Sequence, residues 1–181
     1  MDELGLVLQI GGGSSGLDKG MSAILAVRKI YNGFARAAST LQSPFLLAVR
    51  LYWGWQFAQT GWGKLHNISH VIEFFTSLNI PFPTLNAYAT ASLEGVGGVL
   101  LLIGLGSRLI ALPLTIEMSV AYLTADREAL HSIFSDPGKF YTADTYTFFF
   151  ASLLILVFGP GKIAIDTLVR NWADRRAQGN G

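Results

Sequence analysis

The chain has 181 residues, of which 51% are hydrophobic and only 14% are charged, and its net charge is +1 at neutral pH. Soluble domains carry about 25% charged residues, so this composition favours a membrane protein, and we expect no nucleic-acid partner. The absence of cysteine excludes disulfides, thiol redox chemistry, cysteine-ligated iron–sulfur clusters and c-type haem attachment.

The first segment, residues 1–43, is predicted to hold a flexible stretch followed by an amphipathic helix. Residues 11–16 are glycine and serine only and have too few side chains to pack. From Met21 to Ala38 the apolar residues recur on one helical face, with Lys29 and Arg36 well away from it. A basic amphipathic helix of this kind is typical of the membrane interface. Packing on a partner subunit is the alternative.

Four membrane-spanning helices are predicted within residues 44–170. A bilayer core takes about 20 helical residues. Residues 85–125 form an apolar run about twice that long, broken at Gly104–Arg108, which predicts two antiparallel helices joined by a tight hairpin. The predicted spans are Phe45–Trp62, with Pro44 placed for a helix start, then Leu85–Leu105, Leu109–Ala125 and Thr145–Phe158. The expected fold is an all-α integral membrane four-helix bundle with an interfacial N-terminal helix and a polar tail at residues 171–181.

The basic residues predict the orientation of these spans. Nine of them would lie on the side of both termini and of the hairpin, and three on the opposite side. Because positive residues concentrate on the cytoplasmic side, both termini are expected in the cytoplasm of a bacterium, with the protein in its inner membrane. The longer loops, residues 63–84 and 126–144, then face outward. The first carries a short apolar face that we expect to cover the bundle.

Three ionisable residues fall inside the predicted spans: Arg50, Glu94 and Glu117. A carboxylate near the bilayer midplane is costly, so it normally faces a partner or a cavity. We expect Arg50 to contact Glu94, Glu117 or both. The group is then either a buried ion pair that locks the helices together or the lining of a pocket for a quinone head group, a proton path or an anion. Repulsion and desolvation should keep at least one carboxyl protonated.

Residues near Arg50, Glu94 and Glu117 are candidates for the border of a ligand site. Trp53 would border it, and Lys64 would guard its outer entrance or lie in the interface as a lysine that reaches toward water. His66 and His70 have i,i+4 spacing, but two histidines fall short of a metal site, so we expect no metal. No histidine lies in a predicted span, so we expect no haem either.

Several motifs resemble the DoxX family. These are Arg50…Gly54…Phe57…Gly61…Lys64 in the first span, Glu94-Gly95-Val96-Gly97-Gly98 with Ser107-Arg108 in the second, Met118 and Ala121 in the third, and Gly159-Pro160-Gly161 with Asp166 at the end. The resemblance covers about residues 45–170. It implies a four-helix inner-membrane protein described as an oxidoreductase component, with relatives in a thiosulfate:quinone oxidoreductase and others that associate with partner redox proteins.

Three functions are compatible with these patterns. The leading hypothesis is a membrane redox subunit linked to the quinone pool, with Arg50, Glu94 and Glu117 as catalytic residues and Trp53 and Lys64 in the quinone site. The chain lacks a cofactor motif, so electrons would pass directly to bound quinone or through a partner subunit. The alternative is a non-catalytic accessory or assembly subunit of a larger complex. A small transporter would need symmetric halves or a homo-oligomer, and the sequence has no convincing repeat.

Overall fold

The structure is a computed structural model that describes residues 14–179, and the predicted all-α class is confirmed there, without strands. Eight helices follow one another in the described residues. They are α1 (Ser14–His66), α2 (Ile68–Ser77), α3 (Pro83–Ile103), α4 (Ser107–Thr124), α5 (Arg127–His131), α6 (Pro137–Tyr141), α7 (Asp144–Phe158) and α8 (Ile165–Gly179).

The chain divides into two compact units at Gln42, with the second beginning at Ser43. In the first unit the predicted amphipathic segment is helical, and its apolar residues are exposed, Ile30 and Phe34 by 73% and 71%. Residues 14–16 of the expected flexible stretch belong to α1, and its earlier residues lie outside the described range. Pro44 does not start a helix but lies inside α1. Proline removes one backbone hydrogen bond, and helical residues continue on both sides of it.

The core of the second unit is formed by the latter part of α1 together with α3, α4 and α7. Its buried residues are Phe57, Leu101, Ala111, Leu114, Met118 and Ile155. Helices α1 and α3 approach so closely that a Cβ atom on Gly61 would lie 2.1 Å from the Gly95 nitrogen, and one on Gly98 would lie 2.3 Å from the Ala58 nitrogen. Glycine and alanine permit such close contact between helices.

The helix ends lie close to most of the predicted bounds. The length and composition of the helices support only a part of the predicted membrane crossing. Of the helices in the described residues, Pro83–Ile103 is the one long and apolar enough to cross a membrane, and Asp144–Phe158 is apolar but shorter. The hairpin is present, since Gly104 and Gly106 both adopt positive φ, +73° and +61°. Glycine is the residue that reaches this region without steric cost, so two helices can follow each other with only three residues between them.

The predicted loops contain helices of their own. The segment between the first two predicted spans forms α2, which packs on α3, and the later loop contains α5 and α6. Residues 165–179, which include most of the predicted polar tail, form α8. Helix α2 is the element of the first loop that borders the cavity described next.

Candidate functional site

A cavity of about 990 Å³ lies between α1, α2, α3, α4 and α7 in the second unit. Its walls are mainly apolar: Phe74 and Phe75 come from α2, Leu93 from α3, Met118 from α4 and Phe148 from α7. Cavities for cofactors and drug-sized ligands have volumes of about 300–1,000 Å³, apolar walls and a few convergent polar groups. The cavity has this character, and its polar groups include two glutamates, a lysine, a histidine, an asparagine, an aspartate and several hydroxyls.

An ion pair joins α1 and α3 at the cavity wall. The Lys64 Nζ atom lies 2.7 Å from Glu94 Oε1, and the carboxylate is almost fully buried, with 3% of Glu94 exposed. Lys64 lies in the last turn of α1, where the helix dipole favours a positive charge. The buried carboxylate is thus held against a lysine whose side chain remains 32% exposed.

Three carboxyl oxygens at this site have no hydrogen-bond partner in the described residues. They are Glu94 Oε2 and both oxygens of Glu117, all of them shielded from solvent. Buried polar groups are nearly always hydrogen-bonded, and an exception calls for an explanation such as a bound water, ion or ligand. Both glutamates line the cavity, so a ligand there can reach them.

The expected contact of Arg50 with these carboxylates is wrong. Its guanidinium instead donates to main-chain carbonyls, from Nε to Leu101 (3.0 Å) and from Nη1 to Pro160 (2.6 Å) and Ile163 (3.0 Å). Arg50 and Lys64 are fourteen residues apart on one helix, or about 21 Å at 1.5 Å per residue. Because Lys64 reaches Glu94, the arginine lies several turns away from it.

Arg50 belongs to a group that ties helix ends together. The last turn of a helix leaves carbonyls without intrahelical donors. At the end of α3, Arg50 supplies hydrogen-bond donors to such carbonyls. A Cβ atom on Gly104 would lie 2.7 Å from Arg50 Cζ, so this glycine is needed for space as well as for its positive φ. Asp166 caps α4 by accepting from the Gly106 and Ser107 main-chain nitrogens at 2.7 and 2.9 Å. We call Arg50, Gly104 and Asp166 the helix-end cluster.

Trp53 does not line the cavity but contacts a residue that does. Its ring meets Phe148 edge-on at 5.3 Å between centroids, and Phe148 lines the cavity, whereas the described lining includes neither Trp53 nor Arg50. Of the two neighbouring histidines, His70 lines the cavity and His66 Nδ1 lies 2.9 Å from the Trp62 carbonyl oxygen. The predicted group therefore separates, with Lys64, Glu94 and Glu117 at the cavity and Arg50 in the helix-end cluster.

Sequence reasoning missed the pairing of Lys64 with Glu94, although a signal for it was present. The contacts Gly54–Gly98 and Gly61–Gly95 show that α1 and α3 are antiparallel. Aligning the small residues of the two helices in that way places Lys64 opposite Glu94. The cavity residues Thr60, Thr90 and Asp144 were also missed, because nothing local to them distinguishes them from other polar residues.

Comparison with known proteins supports the resemblance seen in the motifs. The family model DoxX matches residues 45–127, which include both halves of the Lys64–Glu94 pair and Glu117. An uncharacterized protein of Haemophilus influenzae is 29% identical over 133 residues, which cover 69% of this chain and 83% of that protein. No solved structure matches the chain. The DoxX family is membrane-associated.

Proposed function

We propose, for a chain whose residues 45–127 are a DoxX domain, a role as a membrane redox subunit linked to the quinone pool. The quinone binds in the cavity beside Lys64, Glu94 and Glu117. The observation that carries this proposal is the set of buried, unpartnered carboxyl oxygens in an apolar cavity of about 990 Å³. Apolar walls suit the ring and tail of a lipophilic quinone, and the carboxyl oxygens suit the hydroxyls of its reduced form.

The carboxyl groups and the lysine at the cavity have different roles in proton transfer and charge balance. A bound quinone supplies a couple of two electrons and two protons. Glu94 and Glu117 hold and release the protons, because a carboxyl group within hydrogen-bond reach is a competent acid or base. Lys64 balances one negative charge and limits the repulsion between the two carboxyls. The chain has no cysteine, and we assign the electron transfer to a redox-active partner subunit.

The membrane arrangement is part of this proposal. Four segments cross the bacterial inner membrane, the part of α1 from residue 45 to 62 and the helices α3, α4 and α7, with both termini in the cytoplasm. The alternation of apolar helices with polar connections supports it, as does the bias of lysine and arginine toward the termini and the hairpin.

Topology reporters test this arrangement. A reporter fused after Gly181 is expected to be cytoplasmic, and one inserted between Ser132 and Tyr141 is expected on the outer face, because an odd number of spans separates the two positions. Alkaline phosphatase and fluorescent-protein fusions in bacterial cells report the two sides. Finding both positions on one side would contradict the four-span arrangement.

Quinone binding by purified protein tests the functional proposal. The Glu94→Gln variant is expected to bind the reduced form, 2-decylhydroquinone, about tenfold more weakly, since its hydroxyl donates to the carboxylate and one hydrogen bond to a charged group is worth about 1.5–3 kcal/mol. The same variant should still fold, because Lys64 is one-third exposed and can turn toward water. Titration calorimetry in lipid nanodiscs measures the affinity.

The control is Glu128→Gln, which alters a glutamate of another lysine pair, with Lys139, at the surface. It is expected to bind as the parent protein does. If the parent protein binds neither quinone nor hydroquinone, alone or with its co-purified partners, the redox proposal fails and the accessory-subunit alternative takes its place.

A further inference from the structure

Three buried carboxyl oxygens at the cavity have no hydrogen-bond donor in the described residues. We infer that the site prefers the reduced form of its ligand, a lipophilic hydroquinone, and that Glu117 accepts the hydrogen bond from one of its hydroxyls. This inference rests on the proposed quinone function and adds to it the redox form that the site selects. It follows from which polar atoms at the cavity already have partners.

The donors that line the cavity are largely engaged within the protein. Lys64 Nζ donates to Glu94 Oε1, and the hydroxyl of Thr60 donates to main-chain carbonyls of its own helix. The hydroxyls of Thr124 and Thr145 donate to the Val120 carbonyl and to Asp126. The donors that remain, two N–H groups of Lys64, one of Asn86 and the ring N–H of His70, belong to side chains that reach water.

The acceptors, in contrast, are unused. Glu94 is 97% buried, and its Oε2 atom joins the two Glu117 oxygens in having no partner. A donation from the Thr90 hydroxyl, which also lines the cavity, would satisfy one of the three oxygens and leave two. A single proton bound by the two carboxyls would convert one oxygen into a donor and likewise leave two acceptors. Two buried acceptors without a partner thus remain after either change.

The two redox forms differ in what they offer these oxygens. A hydroquinone presents two hydroxyl donors, whereas a quinone presents two carbonyl acceptors. Placing a carbonyl oxygen against an unpartnered carboxyl oxygen leaves both groups unsatisfied in a site shielded from water, which is unfavourable. The phenolic hydroxyl supplies the missing donor, so the reduced form is favoured.

Comparing the affinities of the two forms tests this inference. The probes are 2-decylhydroquinone and 2-decyl-1,4-benzoquinone, titrated anaerobically into the full-length protein in lipid nanodiscs. The hydroquinone is expected to bind at least about tenfold more tightly, as for one hydrogen bond to a charged group. In Glu117→Gln the preference should fall to near equality, because the amide can donate to a quinone carbonyl. Glu128→Gln should retain the preference of the parent protein.

The outcomes separate this inference from the functional proposal. Equal or tighter binding of the quinone by the parent protein would overturn the preference and leave quinone binding intact. Absence of binding for both probes would remove the proposed function itself. A Glu117→Gln variant that melts at the parent temperature yet keeps the full preference would show that Glu117 is not the acceptor.

Discussion

Replacing Arg50 by leucine is expected to lower the free energy of unfolding by about 3 kcal/mol, since a buried acceptor that loses its donor costs about 1–3 kcal/mol and the acceptors after α7 are only partly buried. Arg50 is 2% exposed and donates to carbonyls at the end of α3 and in the segment after α7. Leucine supplies no donor to any of them. Thermal and denaturant unfolding in detergent, followed by circular dichroism, measures the loss.

Two further variants define the cause of that loss. Arg170→Leu, at an exposed position of α8, is expected to unfold as the parent protein does. Arg50→Lys should recover only a part of the stability, because an ammonium group lacks the planar fork that reaches two chain segments at once. A stable Arg50→Leu protein would contradict the role of Arg50 in the helix-end cluster.

A mutant cycle on the Lys64–Glu94 pair is expected to give unequal single effects and a partial rescue. Lys64→Met should cost about 2 kcal/mol, less than the 3–5 kcal/mol typical of a fully buried pair, because the lysine is 32% exposed. Glu94→Gln should cost less, since the lysine can then turn to water. In Lys64→Met the Glu94 carboxylate is left without its cation. The double variant has a neutral glutamine at position 94, so this variant should be more stable than Lys64→Met alone.

The surface pair Lys139–Glu128 is the matched control for this cycle. Its N–O distance is 2.9 Å, close to the 2.7 Å of the cavity pair, but the side chains are 49% and 89% exposed. Exposed pairs are screened by water and contribute little, so its coupling should be small beside that of Lys64 and Glu94. Equal coupling in the two cycles would mean that burial of Glu94 has no energetic consequence.

Much of the helical framework could be predicted from the sequence. The apolar run of residues 85–125 has the length of two helices, and the glycines at 104 and 106 interrupt it where the hairpin lies. Such features depend on consecutive residues and are therefore visible without a fold. The same is true of the DoxX motifs within residues 45–127, the range that the family model matches, whereas the closing motif at residues 159–166 lies outside that match. The acidic residues Glu94 and Glu117 could also be identified as candidates, because a carboxylate in an apolar run is costly unless it faces a partner or a cavity.

The tertiary structure alone decided which cation those carboxylates meet. Arg50 and Lys64 lie on the same helix, and a shift of α1 along α3 by a few turns, at about 5.4 Å per turn, would bring Arg50 instead of Lys64 to Glu94. The shift is set by the contacts of Gly61 with Gly95 and of Gly98 with Ala58, where no larger side chain fits. That packing brings Lys64 to Glu94 at the cavity and leaves Arg50 among the carbonyls at the end of α3, because helix register depends on contacts between residues distant in the chain.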